Sequence, residues 1–126
     1  MDPRELDRPM MAFSLPDEIS KLIGDHRSAS HKHSVVLAKN EHVRVVLVVI
    51  SRGEVLQEHE TQGQITVSVE RGAIQFNALG QRVSLTEGGL LTLQPGICHS
   101  VEALEDSSFV ITVCAPAKGA LSEGEK

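Results

Sequence analysis

The sequence predicts an all-β domain with one short helix near its N-terminal end, and three observations carry that prediction. Val, Ile and Leu make up 34 of the 126 residues, with Val the commonest, while Trp and Tyr are absent and the only aromatic rings are Phe13, Phe76 and Phe109. Stiff β-branched side chains suit a pleated, half-buried surface. From Ser34 onward the hydrophobic period is two and the segments are short. Breaks fall at Asn40, Gly53, Gly63, Gly72, Gly80, Gly88-Gly89, Pro95-Gly96 and Asp106, about one turn signal every eight to ten residues, the spacing of a sandwich or small barrel.

The elements follow in order. Residues 1–33 form an N-terminal arm and a short helix. Ser14 to Gly24 has the helical signals: Ser14 as cap, Pro16 and two acids in the first turn, and Gly24 as terminator. Leu15, Ile19, Leu22 and Ile23 make one apolar stripe that must lie against the rest of the protein. Strands are predicted at 34–38, 43–51, 55–60, 64–71, 73–78, 81–86, 89–93, 98–103 and 107–114. The barrel thus spans 34–114, and 115–126 reads as a frayed polar tail.

Two strands reveal what covers them. Segment 43–50 is apolar at both parities, with Val43, Val45, Leu47 and Val49 on one face and Val46, Val48 and Ile50 on the other. A strand of this kind is covered on both faces, one by the interior and the other by a helix or a second subunit. Dimerisation through this strand is therefore expected. In 64–70, Ile65, Val67 and Val69 point one way, and Gln64, Thr66, Ser68 and Glu70 point the other.

Composition excludes several functions. Seventeen acids against twelve Lys and Arg give a net charge of −5, which argues against a phosphate-binding basic face and hence against nucleic acid. Three scattered Phe provide no base-stacking platform. The longest apolar run, Val45 to Ile50, is far too short for a membrane span. The N-terminus alternates charges without an apolar h-region, and Cys98 and Cys114 are too few for a disulfide framework. A cytoplasmic location is expected.

The segment Gly53-Glu54-Val55-Leu56-Gln57-Glu58-His59-Glu60-Thr61, followed by Gly72, resembles the first motif of the cupins. That motif runs G, five residues, H-x-H, three or four residues, E, six residues, G. Gly88 to His99 is similar to the second cupin motif, in which a G-D opens a strand and a His lies three residues after a Pro-Gly turn, here Pro95-Gly96. With the flanking strands the resemblance covers roughly 34–114. It implies a double-stranded β-helix, or jelly-roll barrel, commonly dimeric.

Cupins usually hold a divalent metal through three His and one Glu, and the resemblance carries these positions over one at a time. The first His matches His59, the second falls on Thr61, the third matches His99, and the Glu falls on Ile65. The Asp of the second motif is Gly89, and the Asn that often follows the last His is Ala103. Period two places Ile65 on the apolar face. Gln64, the nearest polar substitute, points away unless a bulge at Gly63 re-aims it. Two imidazoles are one ligand short of the usual catalytic zinc set, and loss of a carboxylate weakens the hold on a hard dication.

Each remaining residue has a bland reading beside the chemical one. His59 and His99 are either structural histidines or the polar groups of a pocket shared with Thr61, Ile65 and Val67. His26, His31, His33 and His42 fall in the polar lead-in or at strand ends and read as solvent-facing. Cys98 and Cys114 read as small buried hydrophobes, and Glu58 and Glu60 as a solvated face.

Three functions stay open. The first is a metal-poor cupin that binds a small, mainly apolar molecule in the barrel as a sensor or carrier, with His59 and His99 at the pocket. The second, implied by relatives, is a metalloenzyme of oxygenase or isomerase type using Zn, Fe, Mn or Ni on His59, His99 and an unexpected third ligand. The third is a metal-free, epimerase-like enzyme with His59 or His99 as base.

Overall fold

The N-terminal helix α1 (Leu15–Arg27) precedes nine strands, β1 (Ser34–Lys39), β2 (Val43–Ile50), β3 (Val55–His59), β4 (Gln64–Arg71), β5 (Ala73–Ala78), β6 (Gln81–Thr86), β7 (Leu90–Leu93), β8 (His99–Ala103) and β9 (Ser107–Cys114). These come from a computed structural model that describes residues 8–28 and 32–114, the side chains of Glu58 and His59 excepted. The expectations for the first residues of the arm, for His31 and for the tail from residue 115 lie outside the described residues. All nine predicted strands are present, with ends within one residue of those expected.

The strands form two antiparallel sheets, β1-β2-β9-β4-β7 and β3-β8-β5-β6. From β2 to β5, and again from β6 to β9, each connection carries the chain to the other sheet. That alternation makes a jelly roll. The main core lies between the sheets and includes Val48, Ile50, Ile65, Val67, Val69, Ile74, Phe76, Val101 and Phe109. The alternation expected in β4 is observed, with Ile65, Val67 and Val69 buried and Gln64 exposed.

A second core lies on the outer face of the five-stranded sheet, where Ile19 and Leu22 of α1 pack on Leu37, Leu47 and Val49. Burying each of these two helix side chains is worth about 1.5–3 kcal/mol. The cover that the doubly apolar β2 requires thus comes from α1 of the same chain, and this feature does not call for a second subunit.

Helix α1 begins as expected, with the Ser14 hydroxyl accepting from the Asp17 N–H at 3.4 Å. It does not end at Gly24. The helix runs three residues further, to Arg27, and Ser28 closes it through bonds from its hydroxyl (2.6 Å) and N–H (3.2 Å) to the Asp25 carbonyl. Glycine inside a helix costs only about 1 kcal/mol. The added turn places His26 within 3.2 Å of both Ser51 and Glu54, which helps offset that cost.

Two turns show why particular residues are needed or tolerated. Gly72, between β4 and β5, has φ +83° and packs where a Cβ would strike the Asp106 carbonyl and the Ser107 hydroxyl. That close approach lets Ser107 Oγ accept from the Ala73 N–H at 3.0 Å. The hairpin β5–β6 turns on Leu79 and Gly80, both at positive φ (56° and 71°), a combination that suits Asn-Gly far better than a leucine.

Candidate functional site

The two motifs meet along the β3–β8 ladder. Gly53 N–H donates to the Ala103 carbonyl and Ala103 N–H to the Glu54 carbonyl, each at 2.9 Å, securing one end. At the other end Gly96 N–H donates to the Thr61 carbonyl at 2.9 Å. Gly96 has φ +79° after Pro95, as a Pro-Gly turn of this kind demands. The second motif's turn is thereby tied to the first motif at Thr61, the position of its second His.

Between these ties the register pairs Val55 with Glu102, Leu56 with Val101 and His59 with His99. Three steps along β3 match two along β8, so β3 carries one extra residue between Leu56 and His59, a β-bulge. The bulge sets position 59, rather than 58, directly opposite His99. The His59 side chain lies outside the described residues, so the expectation that it joins His99 in a pocket rests on this backbone pairing alone.

His99 is 3% exposed. Its ring stacks on Phe76 with centroids 5.3 Å apart and planes 12° from parallel. Nδ1 lies 3.0 Å from the Ile97 carbonyl. A carbonyl only accepts, so Nδ1 carries the hydrogen and donates to it. Ala78 of β5 is the other cross-strand neighbour. The sequence marks Phe76 only as one of three aromatic rings and not as a site residue, although it shares interior parity with Ile74. What could not be read there was the β5–β8 register, which sets this ring two residues from the partner of His99.

Other expected site residues fall differently. Thr61 lies beyond the end of β3 and is half-buried, so strand parity does not orient it. Ile65 is 2% exposed and Val67 has no exposed surface. Both are packed core members rather than pocket walls. Gln64 is exposed, and the β4–β9 ladder runs through it in register with Cys114; the irregularity in β4 lies at Val69/Arg71. The bulge that would have turned Gln64 inward is not there. Gly63 instead serves a close approach, since a Cβ would strike the Cys114 carbonyl.

Cys98 and Cys114 are both exposed, contrary to the burial expected of them. Cys98 shares the outward parity of Ser100 and Glu102, with Sγ 3.8 Å from Glu60 Oε2, and Cys114 ends β9. His26 is likewise not solvent-facing, its side chain being 13% exposed and tied to Ser51 and Glu54. His33 and His42 are exposed as expected.

The residues present do not fit the metal site that cupins usually hold. A buried aliphatic side chain, Ile65, occupies the carboxylate position, and Thr61 offers a neutral hydroxyl where the second imidazole belongs. Among the described residues no three His, Cys, Asp or Glu side chains are grouped to hold an ion. At Gly89, the position of the motif's Asp, a Cβ would stand 2.9 Å from the Thr86 carbonyl, so the backbone there favours glycine. Among the described residues no helix is long and apolar enough to cross a membrane.

No family model matches the sequence, and no curated protein matches it. Solved structures do. A cupin-2 domain protein from Shewanella frigidimarina aligns with a TM-score of 0.66 at 19% identity, over 82% of this chain and 94% of its own. A cupin superfamily protein from Desulfitobacterium hafniense gives 0.64 at 18% identity, over 66% and 76%. The cupin domain of Schizosaccharomyces pombe Cnp3 gives 0.66 at 14%, over 72% and 69%. The chain has the cupin jelly-roll fold.

Proposed function

We propose that this protein is a metal-independent binding cupin, a sensor or carrier whose barrel takes a compact, mainly apolar molecule. His99 is the polar anchor, with His59 across the ladder from it and Thr61 beside the Pro95-Gly96 turn. The observation that carries this reading is the setting of His99: buried, stacked on Phe76, and oriented by the Ile97 carbonyl beside Nδ1. A buried imidazole in an apolar setting suits a neutral phenol better than a charged metabolite, because the charge would have to be desolvated.

The test is a thermal-shift screen of phenols and other neutral, mainly apolar small molecules. Ligand at a hundredfold excess over Kd raises stability by about 2.7 kcal/mol, or about 10 °C in a domain of this size. At least one compound is expected to give such a rise and to be recovered unchanged, and His99→Gln is expected to abolish the rise. One metal ion per chain in freshly purified protein, lost in His99→Ala, would replace this reading with the metalloenzyme. Conversion of a compound to product would favour acid–base catalysis instead.

A further inference from the structure

The two sheets differ on their outer faces. Helix α1 covers part of the five-stranded sheet through apolar side chains, whereas the outer face of the four-stranded sheet is polar and bounds a recess of about 600 Å³. Ligand sites commonly measure about 300–1,000 Å³. Asn77 and Ser100 lie side by side on β5 and β8, with Gln75 and Glu102 two residues along the same strands, Arg82 across from Asn77 on β6, and Leu79 at the end of the recess. Strand parity turns Gln75, Asn77, Ser100 and Glu102 outward, since Phe76 and Val101 between them belong to the barrel core. The recess is therefore separated from His99 by the sheet itself.

Its floor is a directed hydrogen-bond chain. Gln75 Nε2 donates to Asn77 Oδ1 at 3.1 Å, and Asn77 Nδ2 donates to Ser100 Oγ at 3.2 Å. Asn is depleted in strands, so strand stability does not explain its place here. With Ser100 Oγ accepting, its own O–H is left to donate; Gln75 Oε1 is left to accept, and each amide keeps a second N–H. Gln75, Asn77, Ser100 and Glu102 are all half-buried, so the array is held in place rather than waving in water.

Leu79 supplies an independent observation. It sits at φ 56° in the β5–β6 turn and is 69% exposed, a backbone conformation that bulky residues rarely adopt, at a position where Asn serves the turn better. Folding alone does not account for a leucine there. Strain of this kind collects at binding sites, and Leu79 borders the recess.

The chemistry of the occupant follows. Arg82 and Glu102, the charged residues of the recess, cancel, which favours neither an anion nor a cation. The ligand must both donate and accept at several points, and a hydroxyl does both. Arg82, Asn77 and Ser100 stand on three adjacent strands and span about 10 Å, room for two linked sugar rings. We propose that this face binds a short neutral saccharide, its hydroxyls exchanging hydrogen bonds with Gln75, Asn77, Ser100, Arg82 and Glu102, and the C–H face of one ring resting on Leu79.

The test titrates maltose, cellobiose and xylobiose separately into the full chain, following the side-chain amides of Gln75 and Asn77 and the Leu79 methyls by NMR, with glycerol as the control for unspecific hydroxyl contacts. Saturable shifts at these positions, with His99 unmoved, are expected for at least one disaccharide and not for glycerol. Asn77→Ala is expected to raise Kd about threefold to tenfold, the effect of losing one neutral hydrogen bond. Leu79→Asn is expected to raise Kd about threefold through the lost apolar contact, while the melting temperature rises because the turn is relieved; the opposite signs separate a role in binding from one in folding. No saturable shift above glycerol with any of the three sugars, shifts centred on His99, or an unchanged Kd in either variant would overturn the proposal and leave a solvated sheet face.

Discussion

The five-stranded sheet carries an apolar core on each face, and the two are filled on different terms. Inside the barrel, residues from at least seven strands interlock, with Phe76 and Phe109 the largest of the fully buried side chains. Outside, a single helix lays Ile19 and Leu22 on Leu37, Leu47 and Val49. The inner core exists only when distant segments have paired. The outer core is a two-layer contact whose helix is held by a cap at one end and by His26 at the other. Similar apolar side chains therefore carry different weight, according to how many elements each one joins.

Substitutions can break that contrast or sharpen it. The largest effect is expected at Phe109, where truncation to Ala leaves a cavity that both sheets are too rigid to close, at a cost of about 3–5 kcal/mol. Chemical denaturation should register this as global loss of stability. Leu22→Ala is expected to cost about 2–3 kcal/mol, because α1 can settle partly into the gap. Hydrogen exchange should show the loss concentrated in α1. If Leu22→Ala weakened both sheets as much as Phe109→Ala does, the two cores would be one cooperative unit and the contrast would fail.

Gly72→Ala tests the seam between the sheets. A side chain there meets backbone at a positive φ, and about 2 kcal/mol of destabilisation is expected from the thermal midpoint. The smallest effect has the opposite sign. Leu79 is 69% exposed and sits at φ 56°, so Leu79→Asn is expected to stabilise by about 0.5–1 kcal/mol through better turn chemistry.

Much of the fold was legible because period and punctuation are local. The alternation of Ile65, Val67 and Val69 against Gln64, Thr66 and Ser68 named the buried face of β4, and the turn residues bounded every strand. Less of the site was legible. The extra residue in β3, which sets His59 opposite His99, leaves no mark in a period-two count. The outward parity of Cys98 could be counted, yet which face of that strand meets solvent could not, because that depends on the sheet it joins. His26 read as a solvent-facing histidine because nothing nearby in sequence announces Ser51 or Glu54, twenty-five and twenty-eight residues away.

Sequence alone determined the kind of element at each position and the apolar stripe of α1, since these follow from side-chain chemistry at fixed spacing. Tertiary structure decided which segment covers the outer face of β2, which ring stacks on His99, and which polar side chains meet on the outer face of the four-stranded sheet. Those outcomes depend on register and on contacts between segments far apart in the chain, where short-range periodicity carries no information.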